Sequence, residues 1–276
     1  MELRTKIEPY IRNITDAFLG NNFVIYSFNL FMDEIKTYKE QQVSDFVEAA
    51  AHDLHAPLRK LSILIDRVFT KHAEQFSPDA NEYITRINTC VEQMRSLIDG
   101  LTELATTDAH TFSFIDCDLN VIINETLDTM NEEIREAHAT IEVNAMPVVK
   151  GSPVQYQQLF KNIFENALKF RKKDIAPEIC VSSETLANDE KIFFNLPANR
   201  KYYKIEVSDN GIGFNQVNAE KIFEPFVRLH SKSEYEGSGL GLSICKKIAG
   251  NHEGIIYAEG TENEGSRFTL ILPETH

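Results

Sequence analysis

The sequence predicts an α + α/β chain in which a long antiparallel helical hairpin precedes an α/β sandwich. Three observations predict it. Apolar residues recur at three- and four-residue steps from Val43 to Val68 and again from Ile84 to Leu104, with a break at Ser77-Pro78 between them. After Asp108 the pattern turns to short alternating runs around one strongly amphipathic segment. Gly237, Gly239 and Gly241 then open an apolar, helix-like run, where backbone without side chains allows close approach to a ligand.

Along the chain, Phe28, Phe31, Met32, Ile35 and Tyr38 keep helical spacing and suggest a helix that leads onward from residues 1–42. The first hairpin helix carries Val43, Phe46, Val47, Ala50, Leu54, Leu58, Leu61, Ile65 and Val68 on one stripe. Pro57 interrupts its hydrogen bonding and predicts a bend. The second carries Ile84, Ile87, Val91, Met94, Leu97, Ile98, Leu101 and Leu104. Two such helices cannot bury a wide apolar face alone, so a second copy completing a four-helix bundle is expected. This divides the chain into residues 1–42 as a linker or signalling helix, 43–107 as the hairpin, and 108–276 as the sandwich.

In the sandwich, 112–115 reads as a strand, 119–137 as helix and 140–143 as extended. Ser152 is placed to cap a helix with Pro153 at its first position. That helix presents Tyr156, Leu159, Ile163, Phe164, Ala167 and Phe170 on one face. Strand-like runs follow at 178–186, 191–194 and 201–209. A loop-rich stretch with a helical piece near 219–223 leads to a helix over 240–251 and strands at 254–259 and 266–272. One mixed sheet with helices on one face is the expected arrangement.

Length and composition set limits. At 276 residues the chain holds two modest domains. A net charge of −14 argues against a nucleic-acid surface, which needs clustered Lys and Arg. The apolar stretch over 23–32 includes Ser27 and Asn29 and falls well short of the roughly 20 residues a membrane span needs. No signal-peptide pattern is present. Cys90, Cys117, Cys180 and Cys245 lack metal-ligand spacing and read as reduced, buried thiols. A cytoplasmic chain without membrane insertion is expected.

Four elements carry chemistry. Asn162 and Asn166 lie four apart on the amphipathic helix and share a face, with Lys169 one turn on. Asp209-Asn210-Gly211-Ile212-Gly213 closes a strand-like run with a carboxylate, an acceptor only when ionised, beside two glycines. The glycines at 237, 239 and 241 precede a helix whose free N–H groups and dipole favour phosphate. Upstream, Ala51-His52-Asp53-Leu54-His55-Ala56-Pro57-Leu58 sets a histidine, neutral for much of its population near pH 7, next to a carboxylate.

These motifs, in this order over residues 43–273, resemble the kinase core of a sensor histidine kinase. The run around His52 resembles the H box, the helix with Asn162 and Asn166 the N box, and the run from Asp209 to Gly213 the first glycine box. Phe223-Glu224-Pro225-Phe226 resembles the F box, and Gly237 to Gly241 the second glycine box. Arg228-Leu229-His230 and Glu234-Tyr235-Glu236-Gly237 are similar to kinases found behind phytochrome or PAS sensors.

The resemblance implies a dimerisation and phosphotransfer hairpin followed by a Bergerat-fold (GHKL) ATP-binding domain. It implies His52 as phosphoacceptor, with Asp53 orienting or deprotonating it, and His55 as a solvated neighbour. It implies ATP and Mg²⁺, with Asn166 on the metal, Asn162 and Lys169 near the phosphates, and Phe170 closing the motif. Asp209 is then the acceptor for the adenine amino group, and Gly211 and Gly213 admit the purine. Gly237, Gly239, Leu240 and Gly241 form the phosphate-side loop. Arg228 and Lys232 are candidate phosphate contacts, and Phe223 and Phe226 anchor the lid. The implied partners are a second copy of the chain, a response-regulator receiver domain, and an upstream sensor domain or protein. Forty-two residues are too few to form an ordinary sensor domain.

Overall fold

A computed structural model describes residues 21–72, 76–107, 114–229, 235 and 237–275. Helix α1 (Asn21–His72) and helix α2 (Pro78–Thr106) form the hairpin. Ser77 caps α2, its side chain accepting from the Ala80 N–H at 3.3 Å, with Pro78 at the first turn. Helix α1 runs unbroken through residues 42 and 43, with Pro57 inside it. Ala51, Leu58 and Val91 are buried in the hairpin. Phe46, Leu54, Leu61, Leu64 and Val68 remain exposed on α1 of the single chain.

The sandwich is built on a five-stranded sheet in the order β2-β4-β5-β7-β6. Its strands are β2 (Thr140–Val143), β4 (Glu178–Thr185), β5 (Tyr202–Asp209), β6 (Ile255–Thr261) and β7 (Gly265–Pro273). Only β2 and β4 pair in parallel; the other neighbours are antiparallel. A separate two-stranded ribbon joins β1 (Ile115–Asp118) to β3 (Val148–Gly151). The first strand is thus shifted past the expected 112–115, of which 112 and 113 lie outside the described residues. The helical run expected over 119–137 is two helices, α3 (Leu119–Thr129) and α4 (Asn131–Glu136), broken at Met130.

Helix α5 (Pro153–Lys169) is the centre of the domain. Ser152 caps it as the sequence predicts. Its Tyr156, Leu159, Phe160, Ile163 and Phe164 are almost fully buried against Ile179, Val181, Ile205 and Val207 of the sheet. Each such side chain contributes roughly 1.5–3 kcal/mol on burial. Helix α7 (Gly241–Asn251) lies beside α5 on the same core through Ile244, Cys245, Ile248 and Ala249. His252 ends α7 fully buried. Its Nε2 accepts from the Ser152 N–H at 3.0 Å and its Nδ1 lies 2.8 Å from the Ile248 carbonyl, which fixes a neutral ring protonated at Nδ1.

The run at 191–194 is not a strand. It belongs to helix α6 (Asn188–Phe193), whose start is held by the Ala187 N–H donating to Glu190 at 3.0 Å. The connection that follows brings Phe194 and Leu196 onto a second small core with Leu186, Tyr202 and Ile271. The piece expected near 219–223 is two 3₁₀ turns, Gln216–Asn218 and Lys221–Phe223. Cys117 and Cys245 are buried as expected, but Cys180 is partly exposed and Cys90 exposed; all four are free thiols.

The hairpin docks on the sandwich through the end of α2. Leu104, expected inside a bundle, packs instead on the sandwich core. Lys247 donates to the Leu104 carbonyl at 2.7 Å and Asn251 to that of Thr107 at 2.9 Å. Among the described residues no helix is long and apolar enough to cross a membrane.

Candidate functional site

A cleft of about 970 Å³ opens between α5, the loop after β5, the glycine run before α7, and α2. Of the residues singled out from the sequence, Asn162, Asn166, Lys169, Phe170, Asp209, Gly213, Arg228, Gly237, Gly239 and Gly241 line it. Gly211 lies behind Asp209, and Leu240 is fully buried beneath the glycine run. Lys232 lies outside the described residues. His52 and Asp53 stand apart on α1.

The floor of the cleft is assembled from the ends of α5 and β5. Helix α5 stops at Phe170, whose carbonyl accepts from the Ile212 N–H at 2.9 Å. A Cβ on Gly211 would come within 2.6 Å of that carbonyl and 2.8 Å of Asp209 Oδ1. Gly213 has φ +62, and a Cβ there would collide with the Thr261 carbonyl. Asp209 Oδ1 accepts from the Gly211 N–H at 2.8 Å and the Ser266 N–H at 3.3 Å. Burial pushes the Asp209 carboxyl above its ordinary range, against the pull of those N–H groups.

The opposite rim is the glycine run. Gly237 has φ +136 and Gly239 φ +76, a region that side chains rarely adopt. A Cβ on Gly237 would stand 2.7 Å from Lys169 Nζ, which also lies 4.5 Å over the Phe170 ring. Asn162 donates to the Gly241 carbonyl at 3.4 Å, joining α5 to the start of α7. Arg228 does not point freely into the cleft. Its guanidinium donates to the Gly237 carbonyl at 2.7 Å and to the Tyr235 carbonyl. Phe223 is buried as expected of an anchor, but Phe226 is 53% exposed with φ +65.

On α1, His52 and Asp53 are each 88% exposed, and His52 Nδ1 lies 3.5 Å from Asp53 Oδ1. Successive helix residues diverge in direction, yet these side chains are long enough to meet. His55 is not a solvated neighbour. Its Nε2 lies 3.2 Å from Asp99 Oδ1 of α2.

The sequence reading gave no site role to Tyr235, Gly265, Ser266 or the α2 wall made by Asp99, Gly100 and Glu103. Ser266 reaches Asp209 because the two are register partners across β5 and β7. Glu103 accepts from Gln158 of α5, and burial raises its carboxyl pKa. Nothing in the hairpin periodicity separates such residues from solvated charges.

The donor set suits a nucleoside triphosphate. A Cβ on Gly237 or Gly241 would meet Lys169 or Asn162 of the cleft wall, a carboxylate sits at the closed end, and amide oxygens and an ammonium line the middle. Among the described residues no group of three or more His, Cys, Asp or Glu forms a metal cage. The amide oxygens of Asn162 and Asn166 are of the donor type that the hard cation Mg²⁺ favours beside phosphate oxygens.

Fold and cleft define a nucleotide-binding ATPase domain of the GHKL class, carried behind a helical hairpin. Residues 151–276 match the histidine kinase-, DNA gyrase B- and HSP90-like ATPase family. Cyanobacterial phytochrome A of Nostoc sp. is 33% identical over 232 residues, covering 84% of this chain and 28% of the relative. The sensor protein kinase WalK of Staphylococcus saprophyticus is 25% identical over 241 residues, covering 85% and 37%. The crystal structure of histidine kinase ThkA in complex with response regulator protein TrrA matches with a TM-score of 0.56 and 19% identity, covering 88% of this chain and 66% of that one. The chain is a sensor histidine kinase homologue with a GHKL ATPase domain. It spans about a third of the length of these curated relatives.

Asp209→Asn tests the closed end of the cleft. Folding penalises the ionised carboxylate here, so its contribution to stability is fully present at acid pH and is lost as pH rises through the raised value. The asparagine variant is therefore expected to be at least as heat-stable as the parent at neutral pH. ATP affinity is expected to fall about 10- to 100-fold, since a hydrogen bond to a charged group contributes about 1.5–3 kcal/mol. In the parent, affinity falls as pH is lowered through the same raised pKa. Calorimetric titration with ATP and thermal unfolding read both; undiminished affinity in the folded variant would place the base elsewhere.

Proposed function

We propose that this chain is the core of an ATP-dependent protein-histidine kinase that phosphorylates its own His52 and passes the phosphoryl group to an aspartate of a response-regulator receiver domain. One observation carries the reading. The exposed His52–Asp53 pair stands on a hairpin whose other helix forms one wall of the nucleotide cleft.

Asp53 near Nδ1 favours the tautomer protonated there and leaves the Nε2 lone pair free. Nε2 attacks the γ-phosphorus of ATP as the bond to the β,γ-bridging oxygen breaks, and that electron pair leaves with ADP. The imidazolium so formed gives up its Nδ1 proton to the Asp53 carboxylate. Asp209 holds the adenine amino group, and Asn162, Lys169 and the N–H groups of Gly237, Gly239, Leu240 and Gly241 orient the phosphates. Asn166 would hold Mg²⁺ through its amide oxygen, and the ion would offset charge developing on the phosphoryl oxygens. Arg228 and Lys232 are phosphate contacts of the loaded state, Arg228 after leaving its two carbonyls.

The working unit is a homodimer, because the exposed stripe of Leu54, Leu61, Leu64 and Val68 needs a partner surface. An upstream sensor domain or protein supplies the signal. Leu61→Asp places a charge on that stripe, at a cost of several kcal/mol once buried. Light scattering is expected to show monomer; a stable dimer would remove Leu61 from the interface.

Incubation with γ-labelled ATP tests the central reading. Acid-labile, base-stable label on the protein is expected. Phosphate release without label would leave a GHKL ATPase of another kind.

A further inference from the structure

We propose that His55 is a positioning residue for phosphoryl transfer: held by Asp99, it fixes the turn of α1 that carries His52 against the part of α2 that faces the nucleotide cleft. The inference rests on the histidine-kinase reading above and adds a residue that reading does not use.

His55 follows His52 by three residues, so the two side chains lie about one turn apart on neighbouring positions of α1. Its Nε2 is 3.2 Å from Asp99 Oδ1, and its side chain is only 31% exposed, against 88% for His52. A proton on Nε2 is available to the carboxylate in the neutral tautomer protonated there and in the imidazolium alike. A second tie between the helices, Ser62 to Glu92 at 3.4 Å, lies two turns further from His52.

Asp99 itself lines the cleft. The next residue, Gly100, is buried where a Cβ would stand 2.8 Å from Leu240 Cδ1 of the glycine run. One turn on, Glu103 accepts from Gln158 of α5. The same two turns of α2 thus hold His55 on one side and the nucleotide domain on the other. Moving α1 against α2 displaces His52 relative to the cleft while leaving the cleft intact. In-line transfer tolerates little displacement; an error of about 1 Å can cost on the order of 100-fold in rate.

The experiment measures initial rates of autophosphorylation of the full chain against ATP concentration. His55→Ala is expected to lower the rate at saturating ATP about 10- to 100-fold, with the half-saturating ATP concentration unchanged. His55→Arg, which keeps a donor for Asp99, is expected to restore most of the rate. Asp99→Ala, which leaves no acceptor for His55, is the second arm: it should slow transfer, and adding His55→Ala to it should bring little further loss, since each removes the same tie. Circular dichroism confirms helicity in each variant. An unchanged rate in His55→Ala, a loss confined to half-saturation, no recovery with arginine, or additive losses in the double variant would each overturn the inference. A wild-type chain that takes no label on His52 would refute the kinase reading itself, whereas a labelled wild type indifferent to His55 sinks only the positioning role.

Discussion

The His52→Ala chain is expected to take up no acid-labile phosphate from ATP while binding the nucleotide as tightly as the parent. The proposed nucleophile stands on α1, and the cleft is lined by α2 and the sandwich without His52 or Asp53. Removing the imidazole therefore deletes the acceptor and leaves Asp209, Asn162 and the glycine rims in place. Labelling followed by acid and base treatment gives the first readout, and calorimetric titration with ATP the second. His55→Ala is expected to keep its label on His52, at a reduced rate. Label that persists in His52→Ala and disappears in His55→Ala would exchange the roles of the two histidines.

Gly265→Ala is expected to damage both fold and site. Gly265 starts β7 at φ +130, a region closed to side chains, and a Cβ there would collide with the Asp209 carbonyl. Strain of this kind costs about 1–3 kcal/mol, and the collision adds about as much again. The substitution also pushes on Asp209 and on Ser266, whose N–H reaches the Asp209 carboxylate. Thermal unfolding is expected to show a loss of roughly 2–6 kcal/mol, and titration a loss of ATP binding beyond that of Asp209→Asn. A variant matching the parent in both would mean the start of β7 yields without moving Asp209.

What the sequence disclosed and what it concealed divide along a physical line. Helix α5 was legible because its cap, its proline and its apolar face are local signals. The glycines at 211, 213, 237 and 239 were legible because only backbone demands explain such spacing. The run at 191–194 misled because Lys-Ile-Phe-Phe has strand-like composition; a short helix forms there because Glu190 caps it and Phe194 and Leu196 find a separate core. Strand β3 was missed because its only apolar signal is Val148-Val149, set between Pro147 and Lys150-Gly151. Ser266, Gly265, Glu103 and Asp99 enter the site through pairings between distant segments, and a single sequence does not encode those pairings in any one window. The hairpin stripe marked an apolar face, but not that Leu104 turns to the sandwich.

Helix α1 also has a mechanical consequence. From Asn21 to His52 it is one unbroken rod, about 45 Å long at about 1.5 Å of rise per residue. A rod of continuous backbone hydrogen bonds is stiff in torsion, so a twist applied at the Asn21 end reaches the turn that carries His52 with little loss. The first weak joint lies just beyond it. Pro57 has no N–H to offer the Asp53 carbonyl, and its ring crowds that turn, so bending stiffness drops immediately after His52. His52 thus rides at the output end of a lever, and the compliance of the helix is concentrated in the next turn.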